Sequence, residues 1–201
     1  MGHYYADIGF VEYASVTDGP IDIRSYVDVD QAVRATTAEK VYEQWAAETG
    51  CSSPIDAEAY LDRRFASGGG DVLYVMTRHG AFVGCVGIDR QQFYPFITNL
   101  LVAAEHRGQG CAKRLLAFAE DFIRAGLKFG EARLWCKPEM VPFYENVGYA
   151  TEDFDQSKQV AVMVRRLGGD PLTQSASVDA ADSSFLSSSS GGMLGFSSVR
   201  C

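Results

Sequence analysis

The sequence predicts a mixed α/β fold: a mostly antiparallel central sheet with one parallel strand pair and flanking helices. Three observations predict it. Strand-length apolar runs and helix-period stretches alternate in the order β, α, α, β-hairpin, β, α, β, α, β, β. A helix crosses between the strands ending at Val102 and Cys136, which makes that pair locally parallel. Apolar residues make up 47% of the 201, enough for one full core.

Residues 1–19 mix aromatics with Gly, Asp and Pro and form an N-terminal extension; Tyr4, Ile8, Phe10 and Val11 in it suit an edge segment. Residues 21–27 alternate apolar and polar side chains, as a half-buried strand does. Asp28 or Asp30 then caps a helix running from Gln31 to Glu48, with Val33, Val41 and Trp45 on one face and an expected break at Thr36-Thr37. A loop over residues 50–54 leads to a second helix over residues 56–66, stopped by Gly68-Gly69-Gly70.

Residues 71–77 and 81–89 read as a hairpin about His79-Gly80, and residues 96–102 as the next strand. The following helix aligns Ala112, Leu115, Leu116, Ala119, Phe122, Ile123 and Leu127 in one stripe, with Glu120 and Arg124 as an i,i+4 pair on its polar side. Residues 131–136 form a strand, Pro138 opens a short helix closed by Gly148, and residues 149–154 and 159–167 are two final strands. From Gly168 the composition turns to Ser, Gly, Ala and Asp, too little apolar surface to offset ordering; residues 168–201 are expected to be a disordered tail.

Composition narrows the function. Five cysteines are widely spaced, with no C-x-x-C pair, and three histidines are scattered; this pattern fits reduced thiols in a cytoplasmic protein without a metal site. The first residues lack a basic region followed by an apolar core, so no secretory signal is visible, and no apolar run approaches the roughly 20 residues of a membrane span. A net charge of −8 disfavours a nucleic-acid surface and suits a cationic partner.

The chemistry gathers at residues 99–116. A strand end, a turn with Gly108 and Gly110, and the first turn of an amphipathic helix bring free main-chain N–H groups together, beside the fixed charge of Arg107. Such a cradle suits a pyrophosphate. It is not a P-loop, because the G-x-x-x-x-G-K-[ST] spacing is absent.

Arg107-Gly108-Gln109-Gly110-Cys111-Ala112 follows a strand ending in Val102, and Phe143-Tyr144 stands five residues before Gly148-Tyr149. With these two blocks in this order and separation, residues 20–167 resemble the GNAT superfamily of acyl-CoA-dependent N-acyltransferases. The resemblance implies that the parallel strands splay apart and that acetyl-CoA is the acyl donor. It further implies that Leu100, Leu101 and Val102 bind the pantetheine, that Arg107, Gly108, Gln109, Gly110, Cys111 and Ala112 hold the pyrophosphate, and that a main-chain N–H near Leu101 serves the oxyanion. Tyr144 is then the catalytic acid that protonates the departing thiolate.

Some members of the family carry a carboxylate base before the Gly-rich turn. Thr98 and Asn99 stand there instead, and neither takes a proton from an ammonium, which leaves Asp89, Glu139 or a water chain as alternatives. A nucleophilic Cys111 or Cys136 would need an activating base. The expected function is acetyl transfer to a primary amine of a small molecule or peptide by direct attack, with no metal, nucleic acid or membrane. Asp28, Asp30, Glu39, Glu43 and Glu48 suit a cationic acceptor. Two rivals are an aminosugar-phosphate acetyltransferase and a non-catalytic acyl-CoA-binding scaffold.

Overall fold

The computed structural model describes residues 20–66, 70–90 and 93–168. The expected N-terminal edge segment and the expected tail beyond Gly168 lie outside the described residues. Seven strands form one sheet in the order β1-β2-β3-β4-β5-β7-β6. β1 (Ile21–Ser25), β2 (Val72–Arg78), β3 (Ala81–Asp89) and β4 (Phe96–Val102) pair antiparallel in succession. β5 (Glu131–Cys136), β7 (Val160–Arg166) and β6 (Ala150–Asp155) make a second antiparallel group. The two groups meet where β4 runs parallel to β5, as the crossing helix requires. The β2–β3 turn takes positive φ at both His79 (52°) and Gly80 (78°), a conformation that matches the twist of hairpin strands.

Helices cover both faces. α1 (Gln31–Thr49) and α2 (Pro54–Leu61) close a core with Leu73, Val75, Cys85 and Leu101 of the sheet. α3 (Cys111–Asp121) and α4 (Val141–Glu145) close the other with Val86, Ile97, Leu134 and Met163. Ser53 caps α2 by accepting a hydrogen bond from the Asp56 N–H at 3.2 Å, with Pro54 at the first helical position. Asp30 occupies the N-cap position of α1 without a side-chain bond. α1 continues through Thr36-Thr37, whose hydroxyls donate back to the Ala32 and Val33 carbonyls within the helix. The irregularity falls at Trp45 instead (φ −134°, ψ 25°), one turn before the left-handed cap at Gly50. Cys85, Cys111 and Cys136 are buried free thiols.

Glu120 departs from its expected place. Arg124 pairs with Asp121 at 2.6 Å, and Glu120 turns inward, 8% exposed. There it accepts hydrogen bonds from the Tyr149 hydroxyl (2.9 Å) and the Arg165 guanidinium (2.9 and 3.0 Å). Burial pushes its pKa up, and these two donors work against that rise. The cluster ties α3, which packs on β3 and β4, to the β6–β7 side of the sheet. Glu120→Ala would strand both donors; with Arg165 partly solvated, the expected loss is about 2 kcal/mol, read as a lower midpoint in urea unfolding. Glu120→Gln, which still accepts from Tyr149, is expected to lose less.

Candidate active site

The site is built around an opening in the sheet. β4 and β5 pair only at Phe96↔Arg133 and Ile97↔Leu134. Beyond that point β4 stays on β3 through Leu101 and Val102, while β5 stays on β7 through Trp135 and Cys136. The strands therefore diverge. A one-residue bulge on β4 marks the divergence: the register with β3 slips between Cys85 and Gly87, and Asn99 sits at φ 50°.

The bulge and the ladder decide which main-chain groups face the gap. The Ala103 N–H donates to Val83 O on β3 at 3.0 Å. Main-chain direction alternates along a strand, so Leu101, paired with Cys85, also points its N–H and C=O at β3. Leu100 and Val102 turn theirs toward β5. The candidate oxyanion donor near Leu101 is thus a neighbour of Leu101 rather than Leu101 itself, whose side chain is buried beneath α1 and α2.

At the end of β4 a short 3-10 turn (Ala104–His106) leads into the glycine turn. Gly108 (φ 74°) and Gly110 (φ 77°) are both left-handed, and Gly110 is the N-cap of α3. The first main-chain bond into the helix is Arg114 N–H to Gly110 O at 3.1 Å, so among the described residues the N–H groups of residues 108–113 have no main-chain partner. A Cβ on Gly108 or Gly110 would meet nothing within 4 Å. That concavity of free donors at a helix N-terminus suits an anion.

Neighbouring side chains brace it. Arg107 Nε donates to Val102 O at 3.1 Å, and Arg78 donates to Gln109 Oε1 at 3.2 Å. The Cys111 side chain is 2% exposed in the core, so this residue offers the cradle its N–H and not its thiol.

Tyr144 lies on α4, 8% exposed, with its ring edge-on to Phe143 and Tyr149. Burial, with a smaller effect from the neighbouring Cys136 thiol, pushes its hydroxyl up to about 12. Among the described residues it has no hydrogen-bond partner, unlike Tyr149, whose hydroxyl is spent on Glu120. Neither Cys85 nor Cys136 is poised as a nucleophile. Burial raises Cys85 to about 12, and burial with Glu139 nearby raises Cys136.

The carboxylates proposed as bases are placed unequally. Asp89 stands 3.7 Å from the Arg64 guanidinium, which also holds Asp71 at 2.9 Å and the Tyr60 hydroxyl at 2.7 Å. Glu139 is exposed just past β5. Glu39, Glu43 and Glu48 line the exposed side of α1, Glu43 against Lys40 (3.0 Å) and Glu48 against Lys137 (3.4 Å). Across the strand junction Phe96 stacks on Trp135 with centroids 3.9 Å apart and planes 13° apart. Sequence reasoning missed this aromatic wall, because its two halves are far apart in the chain. Among the described residues no cluster of His, Cys, Asp and Glu suits a metal ion, and no helix is long and apolar enough to cross a membrane.

A mostly antiparallel sheet split at one parallel pair, with helices on both faces, is the acyl-CoA N-acyltransferase fold. Residues 34–165 match the acetyltransferase (GNAT) domain, and the chain belongs to that family of acetyltransferases. Similar solved structures include a spermidine N-acetyltransferase from Vibrio cholerae in complex with CoA and spermine (16% identity, TM-score 0.60, 73% of this chain and 95% of that one). An acyl-CoA N-acyltransferase from Pseudomonas aeruginosa is similar at 16% identity and TM-score 0.56, over 72% of this chain and 97% of that one. The PaiA N-acetyltransferase from Thermoplasma acidophilum, in complex with coenzyme A, shares 18% identity at TM-score 0.52, over 73% of this chain and 98% of that one. No curated protein sequence matches the chain significantly.

Proposed function

We propose that the protein transfers an acetyl group from acetyl-CoA to a primary amine by direct attack. One observation carries this reading: the gap between β4 and β5 has the donor cradle of residues 108–113 at the β4 end and Tyr144 beside Cys136 at the β5 end. An acyl carrier laid between them has its pyrophosphate on the free N–H groups, with Arg107 adjacent. Its pantetheine runs along the gap-facing main chain of Leu100 and the Val102 N–H, as an added strand would. The thioester carbonyl then meets a gap-facing N–H of β4, which stabilises the oxyanion as it forms. Tyr144 protonates the departing thiolate.

The acceptor enters from the α1–α2 face. The net charge of −8 and the acids along α1 favour a cationic small molecule or peptide, in line with the spermine bound by the Vibrio cholerae spermidine N-acetyltransferase. The test is CoA release over a panel of matched amines. Release with cationic amines above their neutral counterparts is expected. Equal rates for both would sink the cationic preference, and tight acetyl-CoA binding without release on any amine would favour the scaffold reading.

A further inference from the structure

Gly87, Thr98 and Asn99 meet where β4 leaves the strand junction with β5. Gly87 lies on β3 opposite Thr98, and a Cβ there would stand 2.6 Å from Thr98 Oγ1 and 3.2 Å from Asn99 Oδ1. Only glycine leaves room for both polar groups, so they sit side by side over its Cα. Thr98 is two residues from Phe96 and shares its face, beside the Trp135 stack. The left-handed backbone of Asn99 is one that Asn adopts more readily than most residues, and the Cys85 thiol holds its carbonyl at 3.4 Å. Thr98 Oγ1 is buried with no hydrogen-bond partner among the described residues, a cost that folding alone does not recover.

We propose that Thr98 and Asn99, seated on Gly87, position the acceptor amine as its neutral free base. This rests on the acetyl-transfer reading and adds what the acceptor nitrogen meets. One N–H of the amine donates to Asn99 Oδ1 and the other to Thr98 Oγ1, which leaves the nitrogen lone pair aimed at the thioester. The lone pair forms the C–N bond and the C–S bond breaks. The nitrogen loses one proton to water, and the sulfur gains one from Tyr144, which is reprotonated from solvent.

An amide and a hydroxyl cannot remove a proton from an ammonium, so deprotonation precedes binding. Other charged or titratable groups on this face are engaged elsewhere. Asp89 and Asp71 are held by Arg64, Arg133 by Glu131 (2.8 Å) and Glu152, and the Cys85 thiol by Asn99 O. A polyamine-like acceptor fits the scheme, since its reacting nitrogen can be neutral while a distant one stays cationic.

The test measures kcat/KM against pH for two amines whose conjugate acids differ by about 2 pKa units. The rising limb is expected to move with the amine by the same amount. Asn99→Gly keeps the left-handed backbone without strain and should raise KM about tenfold, well beyond any change in kcat, with acetyl-CoA affinity unaltered. Asn99→Asp should fix the limb at one pH for both amines. In an active wild type, a limb that stays at one pH, or an Asn99→Gly variant with unchanged KM, overturns this proposal alone. Absence of CoA release from every amine in the wild type overturns the acetyl-transfer reading and this one with it.

Discussion

Tyr144→Phe is expected to lower kcat about a thousandfold while leaving acetyl-CoA affinity unchanged, because the phenol supplies a proton only as the C–S bond breaks. A pKa pushed up to about 12 keeps the acid form present through the usual assay range, so kcat should show no alkaline loss from this residue below about pH 10. The same rise makes Tyr144 a weaker acid, which matters only if its partner stays at the ordinary thiol value. Single-turnover kinetics at saturating acetyl-CoA check both points. A variant that retains full kcat would remove Tyr144 from the chemistry.

Gly110→Val should weaken acetyl-CoA binding about a hundredfold in calorimetry. Two effects combine. The residue sits at φ 77°, where a β-branched side chain is strained, and its Cβ would project into open space at the N-terminus of α3, where an anion on the free N–H groups would approach. Nothing lies within 4 Å of that Cβ, so the fold should survive, with the thermal midpoint lowered by only a few degrees. Gly110→Asn, which tolerates the left-handed backbone, separates the two effects: it keeps the conformation and adds bulk. Unchanged affinity in Gly110→Val would mean that the anion binds elsewhere.

The cradle was legible in the sequence because it is local. Strand end, two glycines and helix start lie within one short stretch, and their spacing fixes the geometry. The parallel pair was legible for a similar reason, since a single crossing helix separates its strands. The seat of Thr98 and Asn99 on Gly87 was not, because it forms only through the register of β4 on β3. The bulge at Asn99 hides in the same way. A period-two reading of residues 96–102 predicts an even ladder, and one extra residue redirects which main-chain groups reach the gap. Glu120 misled for a different reason: its spacing to Arg124 suited a surface pair, and the opposing donors on Tyr149 and Arg165 drew it inward.

The short contact between β4 and β5 also has a mechanical meaning. Two residue pairs join a four-stranded half to a three-stranded half, so backbone bonding alone makes this the weakest line in the molecule. Side chains span that line on both faces: the Phe96–Trp135 stack on one, and on the other the core shared by Val86, Ile97, Leu134 and Met163 together with the Glu120 cluster. The width of the slot is therefore set by side-chain packing across the line rather than by the sheet's own hydrogen bonds. Loosening that packing would alter how the thioester is aligned before it altered whether the carrier binds, and a defect far from the chemistry would surface as a slow enzyme rather than an unfolded one.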